Sequence, residues 1–354
     1  MAAQKGFNKF NPPQISPLRE VQHMKATALA NSNIALVKYW GKRDERLILP
    51  QNPSISMTLD KLHTTTTVEF SDKYKEDQLK IDGKKISGGE ELSRVHHQLN
   101  LVRNMARSHL HARVESENNF PKAAGLASSA SGFAAVSLAA TKAIGLDLTK
   151  KDLSILARQG SGSASRSVYG GFAEWLQGTH SDGADSYARQ IARPEHWPEL
   201  CMVVTVVTHG EKKIKSRTGM AQTVANSPLY KTWLETVEAD MEAVRRGILE
   251  KNFRLLGATA ELNALKMHAT MHTTTPHIIY WEPETITLIK EAMQMREEGL
   301  EAYFTIDGGP QVKVLCLGKD AKKIMKRCQE TKGVQKTILC HAGEDAKMVE
   351  KGLF

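Results

Sequence analysis

The chain is poor in cysteine: four in 354 residues, at Cys201, Cys316, Cys328 and Cys340, with no CxxC pair. That spacing argues against a zinc site and against a secreted disulfide framework, and Cys201 and Cys316 stand in apolar runs that read as strands with buried, reduced thiols. Aromatics are scarce too, at 6%, and no aromatic-basic platform for stacking single-stranded nucleic acid is visible. No apolar run reaches membrane-spanning length, which argues against an integral membrane role. The first 24 residues hold no apolar signal core and no acidic residue before Glu20, but Pro12, Pro13 and Pro17 break any amphipathic helix there. A flexible or surface-draped extension and a cytoplasmic location are expected. Acidic residues are in the minority, 39 against 48 Lys and Arg, for a net charge of +9. The surplus is scattered, apart from a local concentration at Lys319 to Lys326. It suits small polyanionic substrates better than nucleic acid or a membrane surface.

Residues 121–133 read PKAAGLASSASGF. They follow a short β-like run and lead into an Ala-rich helical pattern from Phe133 to Ala143. A small-residue loop that opens a helix offers unpaired N–H groups and a positive dipole end to an anion. Gly125, Ala127, Ser128 and Ser129 are small enough for a polyphosphate to approach the backbone, and a serine hydroxyl can reach a phosphate-bound Mg²⁺. No Walker lysine follows, and a Ser-capped helix packed on a sheet would look the same in isolation. Elsewhere, runs at 26–42, 54–60, 64–72 and 79–86 read as strands joined by turns. Helices are predicted over about 89–108, 152–159, 227–251, 252–272, 283–299 and 321–331. Further strands fall near 112–116, 173–176, 200–209, 302–306, 312–316 and 337–340. The proline-bearing ARPEHWPEL segment marks a domain boundary, giving an extension over 1–24 and domains over 25–198 and 199–354. The fold class is α+β, two joined lobes with a cleft between them.

Four segments together carry a resemblance: NIALVKYWGKRD (33–44), NNFPKAAGLASSASG (118–132), GSGSASRSVYGGFAEW (160–175) and FTIDGGPQ (304–311). The chain resembles diphosphomevalonate decarboxylases of the GHMP kinase superfamily, over nearly everything from Lys25 to about Cys316. The resemblance implies a GHMP kinase fold, with a ribosomal protein S5 domain 2-like first lobe and a ferredoxin-like second lobe. It also implies a homodimer, ATP and Mg²⁺, and conversion of mevalonate 5-diphosphate to isopentenyl diphosphate through phosphorylation of the 3-hydroxyl. Alternatives within the fold are a mevalonate 5-phosphate decarboxylase, or a 3-kinase that does not decarboxylate.

By the same resemblance, Asp307 matches the catalytic aspartate, Arg166 the arginine near the substrate carboxylate and 3-oxygen, and Lys38 the lysine that orients Asp307. A tertiary alcohol is a crowded, weakly acidic nucleophile, so an acid/base group must stand beside it. Tyr39 and Lys42 match binding of the 5-diphosphate. Asn33, Ser161 and Ser163 match groups that hold the carboxylate and phosphates, and Ser216 with Arg217 a second-lobe contact to phosphate. Ser128 and Ser129 are expected to meet the ATP phosphates, Ser129 also the metal, with Ser116 and Asn118 near the adenine. His268 is read as a packed helix histidine. Where the family usually reads DAGPN, this chain has DGGPQ at 307–311, a change expected to bear on substrate length.

Overall fold

The computed structural model describes residues 24–120, 128–207 and 213–354. The first lobe opens with β1 (Lys25–Val37), the small β2 (Lys42–Asp44) and β3 (Leu49–Pro50), the long β4 (Ser54–Ser71), β5 (Gln78–Ile81) and β6 (Lys84–Ile86). It continues through α1 (Gly89–Ala106), β7 (His111–Asn118), α2 (Ser128–Ala143), α3 (Lys150–Gly160), a 3-10 turn over Gly162–Val168, β8 (Phe172–Trp175) and β9 (Ala188–Ala192). The second lobe comprises β10 (Leu200–Val207), α4 (Ser216–Asn226), α5 (Tyr230–Leu249), α6 (Phe253–His272), α7 (Pro283–Glu297), β11 (Tyr303–Ile306), β12 (Val312–Leu317), α8 (Gly318–Glu330) and β13 (Val334–Cys340). The chain then returns to the first lobe, where β14 (Lys347–Met348) pairs with β1.

An eight-stranded sheet runs β14-β1-β4-β7-β5-β6, with β8 on β4 and β9 beyond it. The runs read from sequence as separate strands at 54–60 and 64–72 are one strand. Its outer half pairs with β7 and its inner half with β8. At the junction the register on β1 jumps from Asn31↔His63 to Asn33↔Thr58. The polar Asp60-Lys61 pair that resembles a turn is a bulge, stitched by Asp60 N–H to the His341 carbonyl and Gly343 N–H to the Thr58 carbonyl. The second sheet, β11-β12-β10-β13, is antiparallel throughout.

Three apolar cores follow from this layering. One lies between the first sheet and α1, α2 and α3, and another between the second sheet and α7 and α8. The third joins the lobes, where Ile34, Leu36 and Trp40 meet Val204, Trp233, Met241 and Met267. α2 is the central helix of the first lobe. Its small residues Ala134, Ala135, Ala139 and Ala140 are wholly buried, which lets the helix axis lie close to the sheet and fixes its N-terminus at the interlobe cleft. Side-chain caps start two other helices. Thr149 accepts the Asp152 N–H at α3 and Asn252 the Leu255 N–H at α6, each contributing ~1 kcal/mol.

Candidate active site

Between the lobes lies a cleft of about 700 Å³. Among the described residues its walls carry Lys38, Lys42, Arg94, Arg166, Lys215 and Arg217, against Glu90, Glu91 and Asp307 as carboxylates. Such a surplus of cations in a partly enclosed space draws in polyanions.

At one end, β1 stops at Val37 and the chain turns sharply. Gly41, at φ +119°, makes the turn, and a Cβ there would fall 1.9 Å from the Tyr230 hydroxyl, a group that donates to the Trp40 carbonyl at 2.7 Å. Lys38 is held at every polar atom. Its N–H donates to Asn263 Oδ1 at 2.8 Å and its carbonyl accepts from Asn52 Nδ2 at 2.7 Å. Its ammonium donates to the Ala35 carbonyl and to Asp307 Oδ1, both at 2.7 Å. Asn263 is itself fixed by Asp240 at 2.7 Å, and Asp240 by Lys266.

Asp307 stands at the end of β11 with 26% of its side chain open to the cleft. Its second oxygen, Oδ2, faces the ammonium of Lys313 at 3.4 Å. Burial alone would raise the Asp307 carboxyl, but Lys38 and Lys313 outweigh it and hold the group far below the usual carboxylate range. Burial pulls Lys38 down to about 8, against the opposing pull of Asp307. Arg166, on the 3-10 turn, donates from Nε to Asn33 Oδ1 at 3.2 Å and from Nη1 to Ser54. Asn33 in turn donates to the Ser163 carbonyl and to Ser167 Oγ. Burial lowers Arg166 to about 10, so it stays charged at neutral pH.

Farther along the cleft, Tyr39 packs edge-on against Trp175, with ring centroids 4.7 Å apart. Its hydroxyl is buried and has no hydrogen-bond partner among the described residues. Burial pushes the phenol up, so it remains a donor. The Lys42 ammonium pairs with Glu45, and burial lowers its pKa. Ser216 opens α4, a helix the sequence pattern did not predict, and Arg217 and Lys215 each lie 3.8 Å from Glu90 across the cleft mouth. Arg94 was also missed. Its guanidinium donates to the Gly160 carbonyl at 2.8 Å and lies 4.5 Å over the Phe133 ring. A single arginine on an amphipathic helix gives no signal that it faces a cleft.

At the other end, Ser128 and Ser129 open α2 and line the cleft with Ser161 and Ser163. Ser161 Oγ reaches Ser129 Oγ at 3.4 Å. A smaller pocket of about 90 Å³ adjoins them, walled by Leu79, Ile81, Val95 and Phe133 and carrying Ser116 and Asn118 on its rim. Ser116 Oγ meets Thr66 Oγ1 at 2.8 Å, and Asn118 donates to Asp82 at 3.1 Å. Gly125 and Ala127 lie outside the described residues, as does the extension over 1–23. Among the described residues no group of three His, Cys, Asp or Glu side chains could hold a metal ion. The serine hydroxyls are hard oxygen donors of the kind Mg²⁺ takes when it arrives on phosphates.

Two further positions bear on the sequence reading. His268 is fully buried, and burial, with His272 and Lys38 nearby, pulls its imidazole down to about 3. It is therefore neutral at ordinary pH. In the DGGPQ turn, Gln311 faces away from the cleft, accepting the Val207 N–H at 2.8 Å. Gly308 does line the cleft, and a Cβ there would fall 2.8 Å from the Trp40 ring. Of the two changes from DAGPN, only the glycine touches the space a substrate would fill.

Residues 30–188 match the family described as diphosphomevalonate decarboxylase-like N-terminal domain, and residues 202–351 the mevalonate 5-diphosphate decarboxylase C-terminal domain. The chain is 39% identical over 310 residues to the diphosphomevalonate decarboxylase of Bos taurus, covering 82% of this chain and 76% of the relative. The crystal structure of mevalonate diphosphate decarboxylase from Staphylococcus aureus superposes with a TM-score of 0.87 at 40% identity, covering 92% of this chain and 98% of that one. A structure in complex with MVAPP, AMPPCP and magnesium superposes at 0.86 with 43% identity, covering 92% and 99%. With both lobes matched and the motif residues gathered around one cleft, the chain belongs to the diphosphomevalonate decarboxylase family.

Proposed function

We propose that the protein converts mevalonate 5-diphosphate and ATP into isopentenyl diphosphate, ADP, phosphate and carbon dioxide. The observation that carries this reading is Asp307, held ionised at the meeting of the lobes beside Arg166, with the helix N-terminus of α2 at the opposite end of the same cleft. ATP enters at that helix end, its base toward the small apolar pocket rimmed by Ser116 and Asn118 and its phosphates at Ser128 and Ser129. Mg²⁺, held with the phosphates by Ser129, supplies neutralisation of their charge. Asn33, Ser161, Ser163 and Arg166 hold the substrate carboxylate and its 3-oxygen. Tyr39, Lys42, Ser216 and Arg217 hold the 5-diphosphate.

Asp307 accepts a hydrogen bond from the 3-hydroxyl and takes its proton as the oxygen bonds to the γ-phosphorus and the bond from that phosphorus to the β–γ bridging oxygen breaks, ADP leaving with the electron pair. A carboxylate so strongly charge-paired is a weak base. It suffices because phosphoryl transfer needs positioning and charge stabilisation more than early deprotonation. The 3-phosphate then leaves with its bonding pair. The electrons of the C–carboxylate bond move to form the double bond, and carbon dioxide departs. Arg166 and Lys38 stabilise the charge of the leaving phosphate.

The test is to incubate the protein with MgATP and either mevalonate 5-diphosphate or the 5-monophosphate, following ADP and carbon dioxide together. Coupled release with the diphosphate supports the reading. Preference for the monophosphate overturns the substrate, and ADP without carbon dioxide overturns the decarboxylation. In the same reading the residues divide at 198/199, and the protein is a cytoplasmic homodimer, on the strength of the family resemblance. Light scattering at the mass of one 39.2 kDa chain would overturn the dimer.

A further inference from the structure

Lys313 is the second residue of β12, paired in register with Val204 of β10 and Thr305 of β11. It is an interior position among Val312, Val314, Leu315 and Cys316, all wholly buried, and Lys313 itself is 1% exposed. A lysine there is expensive to desolvate and persists only if its charge is answered. Among the described residues its ammonium has one hydrogen-bond partner, Asp307 Oδ2 at 3.4 Å. It does not line the cleft, so it acts through Asp307.

We propose that Lys313 is a positioning residue for the reaction, holding the second oxygen of the Asp307 carboxylate so that the group is gripped from both lobes. The inference rests on the role given to Asp307 above. A carboxylate bonded at one oxygen pivots about its Cβ–Cγ bond. Bonded at Oδ1 by Lys38 and at Oδ2 by Lys313, it presents a fixed edge to the cleft. The charge balance matters as well. Two ammoniums and one carboxylate sum to +1, so the site stays attractive to an anionic substrate with Asp307 ionised. Lys313 also disfavours the charged form of its neighbour Lys38. Arg166 from the 3-10 turn, Tyr39 from the β1 turn and His268 from α6 are the other ionisable groups around the pair.

The experiment compares wild type, Lys313→Met, Lys313→Arg, Asp307→Asn and the double variant Lys313→Met/Asp307→Asn, each checked by circular dichroism. Lys313→Met is expected to lower kcat about 10- to 100-fold, with KM for both substrates little changed, as for a misplaced reacting group. With one neighbouring cation gone, the basic limb of its kcat profile should move to higher pH, and Lys313→Arg should recover part of kcat. In the Asp307→Asn background the same substitution should cost nothing further, because the two act as a unit. A Lys313→Met enzyme with unchanged kcat and an unmoved basic limb overturns the proposal, as does a loss that adds in full to that of Asp307→Asn. If Lys313→Met does not fold, Lys313→Gln carries the same readouts. A fully active Asp307→Asn enzyme would instead overturn the reading of Asp307 itself.

Discussion

The two ends of the cleft are built differently. Around Asp307 two basic side chains are each fixed by several partners: Lys38 by Asn263, Asn52 and the Ala35 carbonyl, and Arg166 by Asn33 and Ser54. Lys38 is tied across the lobes to Asn263 and Asp307, and Lys38 and Arg166 are buried. At the opposite end Ser128 and Ser129 meet the cleft from the first turn of α2, with a long 3.4 Å contact between Ser129 and Ser161 as their tie to the neighbouring loop. The first end is arranged before any ligand binds, which suits a step whose barrier depends on charge placement. At the second, among the described residues, the tie of this kind on Ser128 and Ser129 is the one from Ser161 to Ser129. Among the described residues, the cross-element ties gather around Asp307 rather than at Ser128 and Ser129 of α2.

The sharpest way to break this comparison is Asp307→Asn, which keeps the shape and removes the charge. Turnover should fall by about 10³-fold, the range of a lost acid/base group, while ATP affinity by fluorescence titration stays near wild type. An equal loss of nucleotide binding would mean the ends are not separable. Next is pH. The Lys38 ammonium, lowered to about 8, is charged below that pH and neutral above it. The kcat profile should therefore fall as pH rises through about 8. Asp307 stays ionised throughout the working range and should contribute no acid limb there. A rising profile above 8 would make neutral Lys38 the active form. Lys42→Ala comes third. It should raise KM for the 5-diphosphate about 10-fold, the scale of a lost charge-assisted hydrogen bond, and for the monophosphate less. Equal weakening would detach Lys42 from the distal phosphate. Smallest is Ser129→Ala, about fivefold in KM for ATP, as expected for one net hydrogen bond. A loss as large as that of Asp307→Asn would show the serine end to be as exacting as the other.

Much of this was legible in the chain. Helices with a clear apolar stripe, such as α1, α5 and α6, and the strands around the motif segments stand close to where periodicity puts them. α4 escaped because only Gly219, Met220 and Thr223 of its eleven residues are buried, too few to make a stripe. Asn33, Lys38, Tyr39, Lys42, Ser161, Ser163, Arg166 and Asp307 line one cleft, although nothing local links Lys38 to a carboxylate 269 positions away. No motif marks Lys313, yet a single lysine inside VKVLCL is itself a signal that something buried must answer it. Gln311 shows the opposite error: adjacency to the Asp307 turn suggested contact with substrate, but its side chain completes hydrogen bonding at the end of β10. Sequence position fixes where a backbone passes, and strand alternation decides which way each side chain faces.

The return of the chain to its own beginning has a consequence for synthesis. β14 pairs with β1 across some three hundred residues, through Ala28↔Met348 and Leu29↔Lys347. The edge of the first sheet therefore stays open while the whole second lobe is being made. Contacts of that span are slow to form because the loop between them must close first. The first lobe's seam is sewn only once the segment carrying β14 has left the ribosome.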